Sequence, residues 1–311
     1  MTSTENLLIV AAAAGALTAA VAAAVWIAER NIHVRTRRRT RADPQLAGQT
    51  AAAAVVESVE VFALDGVRLS GWLLLPERWR GEAALVLHGF VDSRAAMLEH
   101  ARLLLRHGFA VLAPDSRGHG ESGGGAVSFG VREAEDVRAW GDWLCRRLRI
   151  DAFVGIGQSM GAAVLINALP GERRLTRVVA ESSFTSFREV AYERLAGRAR
   201  VPRWLARWLF RPVGELGFLY VRWRYGFNLH DTRPLDALRG AAQPVLLIHG
   251  SNDRAILAQH SRRLLSAAGS PATEYWEVEG AGHTEPIRVA AAEYERRVIA
   301  WLTSPPAGNR A

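Results

Sequence analysis

The 311-residue chain has no lysine and one cysteine. A lone Cys145 excludes an intramolecular disulfide framework and is compatible with a reducing compartment. It lies in the helical-looking stretch Glu133 to Arg149, away from any histidine-rich motif, and reads as a packing residue. Without lysine no Walker-type phosphate loop can be completed. Gly123-Gly124-Gly125 lacks both the following Lys-Ser/Thr pair and a strand leading directly into it, and reads as a flexible loop. All 39 basic residues are arginine, which beside abundant alanine reads as compositional bias rather than as many separate roles. The net charge of +8 favours anionic surfaces. No recognised nucleic-acid motif accompanies it, so a nucleic-acid partner is not expected. With 49% hydrophobic and 23% charged residues the chain is too apolar to be disordered.

Charge is also absent from Leu7 to Ala28. At about 1.5 Å per residue this stretch covers a hydrocarbon core of roughly 30 Å, so residues 1–29 read as a single transmembrane anchor. Alanine contributes little to insertion, which rests on Leu7, Leu8, Ile9, Val10, Leu17, Val21, Val25, Trp26 and Ile27. Ala22-Ala23-Ala24 imitates a signal-peptide cleavage site, but Met1 to Asn6 carry no Lys or Arg of an n-region. Arg30, Arg35, Arg37, Arg38, Arg39 and Arg41 follow the span, and this bias places the bulk of the chain in the cytoplasm. Residues 30–54 read as a basic juxtamembrane segment and linker, with Pro44 and Gly48 in the tether-like part.

From Val55 to about residue 304 the pattern is that of one α/β domain, with 305–311 as a tail. Val55–Leu64 and Val67–Leu75 form a hairpin at Asp65-Gly66. Strands Ala83–Leu87, Phe109–Ala113, Ala152–Ile156, Arg177–Ala180, Val245–Ile248 and Glu274–Val278 follow, the early ones alternating with amphipathic helices. Short apolar strands so separated predict a mostly parallel sheet with helices on both faces. Between about residues 185 and 236 no strand is legible, and an aromatic- and arginine-rich insertion of two or three helices is expected to overhang the carboxyl edge of the sheet as a cap.

Gly157-Gln158-Ser159-Met160-Gly161 sits where a buried strand turns sharply into a helix, the geometry that lifts a nucleophile clear of a sheet. A serine needs a base within hydrogen-bond reach and a third group to orient that base. Two later loops, each just after a strand, supply Asp253 and then His283. Asp92, Asp231 and Asp236 are the alternative acids. His88, His119 and His249 read as loop-bracing residues.

Four separated motifs resemble the α/β-hydrolase superfamily from about Val55 to Leu302. They are the elbow at Ser159, the order Ser, Asp, His, the His88-Gly89-Phe90 loop, and the loop Asp115-Ser116-Arg117-Gly118-His119-Gly120-Glu121-Ser122. The look is of the serine esterase, lipase and aminopeptidase-like group, including its membrane-anchored bacterial members. The resemblance implies an α/β-hydrolase fold, with Ser159 as nucleophile, His283 as general base and acid, and Asp253 as orienting carboxylate. It maps the oxyanion hole to the backbone N–H groups of Met160 and Phe90. No cofactor or metal is called for.

The leading reading is a membrane-anchored serine hydrolase of an ester, thioester or amide, with a small-molecule or lipid acyl substrate. Its rival is a non-catalytic scaffold of the same fold that binds a lipid or protein partner. Trp204 and Trp208, one turn apart after Pro202, either pack the cap onto the core or dock it on a lipid interface. The arginine bias also predicts topology: a cysteine at position 4 (Thr4→Cys) reacts with an impermeant maleimide from outside the cell, whereas a tag after Ala311 stays protected. The reverse labelling pattern would overturn that orientation.

Overall fold

The computed structural model describes residues 3–33, 55–199 and 201–304. The arginine-rich flank from residue 34, the tether and the tail at 305–311 lie outside these residues. Eight strands form one sheet: β1 (Val55–Phe62), β2 (Arg68–Leu75), β3 (Ala83–Leu87), β4 (Ala110–Pro114), β5 (Phe153–Gln158), β6 (Leu175–Glu181), β7 (Val245–Gly250) and β8 (Glu274–Val278). Their spatial order is β1-β2-β4-β3-β5-β6-β7-β8. The β1–β2 and β2–β4 pairs are antiparallel and the rest parallel. The expected mostly parallel sheet is present, and its two-strand hairpin lies at one edge.

Side chains that alternate across the pleat feed two separate cores. Leu85, Leu87, Leu112 and Leu247 pack on one face with helices α3 (Arg132–Leu148) and α4 (Met160–Ala168). Ala84, Val86, Val111 and Leu246 pack on the other with α2 (Leu98–Arg106) and α10 (Ala291–Thr303). A period of two in strands that are apolar at nearly every position requires both faces to be covered. Cys145 packs, half-buried, against the first core.

The insertion between β6 and β7 holds α5 (Phe187–Ala199), α6 (Arg203–Tyr225), a 3₁₀ turn at Leu229–Asp231 and α7 (Pro234–Gly240). Helix α8 (Gln259–Ala267) follows β7 and α9 (Pro286–Val289) follows β8.

Helix α1 (Ser3–Ile32) is long and apolar enough to cross a membrane. Most of it is exposed, Leu7, Leu8, Ile9, Val10 and Leu17 included. One side of its last turns is not. Ala24, Ala28 and Ile32, at i, i+4 and i+8, are buried against α6. The helices pass closely because α6 offers Gly217: a Cβ there would lie 3.3 Å from the Ala24 carbonyl oxygen. Glu29 accepts hydrogen bonds from the hydroxyls of Tyr220 (2.6 Å) and Tyr225 (2.7 Å). The His33 ring joins Tyr225 and Glu29 to the carbonyl of Gly125, and the Val127 N–H donates to the Ile32 carbonyl at 2.9 Å.

At the crossover from β5 to α4 a Cβ on Gly161 would stand 2.3 Å from the Leu87 carbonyl oxygen. Backbone cannot retreat as a side chain can. Gly161→Ala is therefore expected to cost about 3 kcal/mol or more, read as a lowered midpoint of thermal unfolding. An unchanged midpoint would show slack in this crossing.

Candidate active site

Strand order reverses at β3 and β5, so the loops that leave their carboxyl ends diverge and open a crevice. Ser159 stands on that crevice with φ 53° and ψ −109°, a strained backbone for a residue with a Cβ. The strain is held by the Ser159 N–H donating to the Glu181 carbonyl (2.8 Å) and by the two flanking glycines. A Cβ on Gly157 would lie 2.5 Å from the backbone of Gly161. The hydroxyl thus sits at the N-terminus of α4, where backbone N–H groups lack helical partners.

The loops after β7 and β8 are tied to each other by the N–H of Asn252 donating to the Ala281 carbonyl (2.9 Å). They deliver Asp253 and His283. His283 Nε2 lies 3.0 Å from Ser159 Oγ, and His283 Nδ1 lies 2.7 Å from Asp253 Oδ2. The structure brings all three together in the order expected.

Asp253 is buried, yet it is richly supplied with donors. Its Oδ1 accepts from the N–H groups of Ala255 and Ile256, both at 2.9 Å, while Oδ2 faces His249 and His283. Burial pushes the carboxyl up, but the hydrogen bonds from His249 and His283 and the Ile256 N–H outweigh it and hold Asp253 well below the usual carboxylate range. The alternative acids are placed otherwise. Asp231 accepts from Asn228, and Asp236 pairs with Arg233 and Arg239. Asp92 is near enough to feel the charge of His283, but the Nδ1 contact goes to Asp253.

The His88-Gly89-Phe90 loop passes against the serine: a Cβ on Gly89 would be 3.6 Å from Ser159 Cβ. Buried His88 braces this loop. Burial, with the charge of His119, drives its pKa down to about 3 against the hydrogen bond to Gly89. The ring is therefore neutral, its Nδ1–H donating to the Gly89 carbonyl (2.7 Å) while Nε2 accepts from the Ser116 N–H (3.0 Å). The Asp115–Ser122 loop is a second brace. Asp115 accepts from the N–H groups of Arg94 (2.7 Å) and Glu121 (2.8 Å), and Arg117 reaches Asp136 and Asp65.

Residues 84–296 match the model of the alpha/beta hydrolase family. This chain belongs to that family. It is similar to the uncharacterized protein Rv2307c of Mycobacterium tuberculosis, 33% identical over 232 residues that make up 73% of this chain and 72% of the relative. It is also similar to the uncharacterized protein YfhR of Escherichia coli K12, 29% identical over 69% of each chain. Among solved structures, the Pyrococcus furiosus esterase Pf2001 superposes with a TM-score of 0.68 and 26% identity, covering 87% of this chain and 98% of the esterase. Family and esterase neighbour together mark the chain as a hydrolase.

One part of the hydrolase's site has no counterpart in the sequence reading. Under the elbow, fully buried Glu181 contacts His100 (2.9 Å), the Tyr294 hydroxyl and the side-chain amide of Gln158 (3.0 Å). Burial raises its carboxyl, but the charge and hydrogen bond of His100, with Tyr294 and Gln158, reverse this and hold it below its ordinary value. Gln158 also reaches the Thr284 carbonyl, beside His283, at 3.5 Å. Its strand also carries Thr176 and Arg177, so nothing in the sequence of β6 alone marks this acid. Among the described residues no three His, Cys or carboxylate side chains are grouped to hold a metal.

Asp253→Asn keeps an acceptor for the two backbone N–H groups but presents an amide to two histidines. Turnover of a soluble ester is expected to fall by about 10⁴, with stability lowered by about 1–3 kcal/mol. Near-normal turnover, with Asp231→Asn or Asp236→Asn inactive, would move the assignment.

Proposed function

We propose that this chain is a membrane-anchored serine hydrolase that cleaves an acyl ester, thioester or amide through an acyl-enzyme. The observation that carries the reading is the continuous contact Asp253–His283–Ser159 at 2.7 and 3.0 Å. Ser159 Oγ attacks the acyl carbonyl while His283 Nε2 takes its proton. Asp253 fixes the ring with its other nitrogen protonated and stabilises the imidazolium that forms. The N–H groups of Met160 and Phe90 receive the oxyanion. His283 then protonates the leaving group, and water, activated by the same ring, releases the acid.

Anchoring rests on α1, whose exposed apolar length suits a bilayer. The arginines after it support a cytoplasmic catalytic domain.

Wild-type protein is expected to be labelled by a fluorophosphonate, and Ser159→Ala to lose labelling and most ester turnover, the remainder reflecting oxyanion binding alone. A folded Ser159→Ala protein that labels normally would overturn the mechanism. Wild-type protein inert to both probe and esters would point to a non-catalytic scaffold.

A further inference from the structure

An apolar cavity of about 870 Å³ of empty space, its open mouth included, lies between the cap and the last turns of α1. Its cap wall includes Val190 and Leu195 of α5 and Val213 and Val221 of α6. The opposite wall is α1 itself, through Ala24, Ile27, Ala28 and Ile32. Its lining also includes Phe129 and Phe90, whose N–H is assigned above to the oxyanion, although Ser159 and His283 are not among the lining residues. A run of rings connects these two to the cap. Phe90 lies 4.9 Å from Phe129, which stacks on Phe187 at 4.0 Å, and Phe218 follows at 6.3 Å.

Two facts fix what such a cavity meets. Counted from Leu7, about 20 residues of helix cross the hydrocarbon, which ends near Trp26. The wall contributed by α1 begins at Ala24, so the cavity sits at the boundary between acyl chains and headgroups. The second fact is the outer side of α6. Trp204, Trp208, Leu219 and Trp223, spaced four, eleven and four residues apart, form one stripe that points away from the cavity side of the helix. The three tryptophans are 73%, 77% and 79% exposed. Trp204 and Trp208 do not pack the cap onto the core. Held against α1, this stripe suits an interfacial position, where tryptophan is favoured.

We propose that this cavity is the acyl-chain site of the hydrolase, that the membrane helix forms one of its walls, and that the substrate is an acyl ester of a bilayer lipid whose chain enters sideways from the hydrocarbon. This rests on the serine-hydrolase reading of Ser159. It adds that α1 is part of the substrate site as well as an anchor.

The test uses the full chain in phosphatidylglycerol-containing vesicles and a hexadecyl fluorophosphonate with a diazirine near the tail end. The probe is expected to attach at Ser159 and, on illumination, to cross-link its tail to peptides that contain Ile27 or Ala28. Attachment at Ser159 with tail cross-links confined to other elements would overturn the inference and leave the hydrolase reading standing. Failure to attach at Ser159 would instead overturn the reading on which it rests.

A second arm fills the cavity with Ile27→Trp. The ratio of kcat/KM for a hexadecanoyl ester over a butanoyl ester is expected to fall about tenfold or more, since a few methylenes lose their burial. Val21→Trp, on the exposed part of α1, is expected to keep the wild-type ratio. An unchanged ratio in Ile27→Trp, or an equal fall in Val21→Trp, would count against the helix as a wall.

Discussion

At residues 157 and 161 the chain crosses itself at a distance that no Cβ could occupy. The candidate active site is organised around that crossing. It fixes the strained backbone of Ser159, sets the first turn of α4 behind the hydroxyl, and presses α4 against the end of β3, where the Gly89–Phe90 loop departs. A wider crossing would displace the serine from His283 and spoil a contact of 3.0 Å, and positional errors of about 1 Å can cost two orders of magnitude in rate. Strain at one residue is tolerable because the sheet on either side is buried on both faces and cannot relax to relieve it.

Around this crossing charge has been taken inside and satisfied. Asp253 and Glu181 are both buried carboxylates held ionised by histidines, one beside the serine and one beneath it. Removing a partner from such a group leaves an uncompensated charge, which costs far more than the intact pair contributes. The neutral His88 ring does the complementary job with no charge at all, joining the loops after β3 and β4 through one donated and one accepted hydrogen bond. His100 and His283 thus serve carboxylates, whereas His88 serves backbone, as does His119 through the Arg117 carbonyl.

Much of this was legible in the chain. Apolar runs of five or six residues mark the central strands, because both faces of a parallel sheet must be covered, and turn chemistry marks the hairpin at Asp65-Gly66. The positions of Ser159, Asp253 and His283 follow from loops that leave the same edge of the sheet. What was not legible depends on pairings between distant segments. Nothing about Ala24 or Ala28, in an alanine-rich run, distinguishes a helix face that packs from one that stays exposed. Glu181 looks like an ordinary strand end until His100 and Tyr294 are brought to it from elements 81 and 113 residues away. Trp204 and Trp208 allowed two readings because periodicity gives a helix its stripe but not the direction in which the stripe points.

The Glu29–Tyr220–Tyr225–His33 cluster bolts α1 to its cap at the point where a hydrocarbon span would end. A catalytic domain on a loose tether samples a volume and can turn its mouth away from the bilayer. One fixed by a cluster of hydrogen bonds has a set height and bearing. On the proposed membrane-anchored reading its encounters become diffusion in a plane, and the quantity that governs its rate is the area density of substrate in a single leaflet rather than any concentration in the surrounding water.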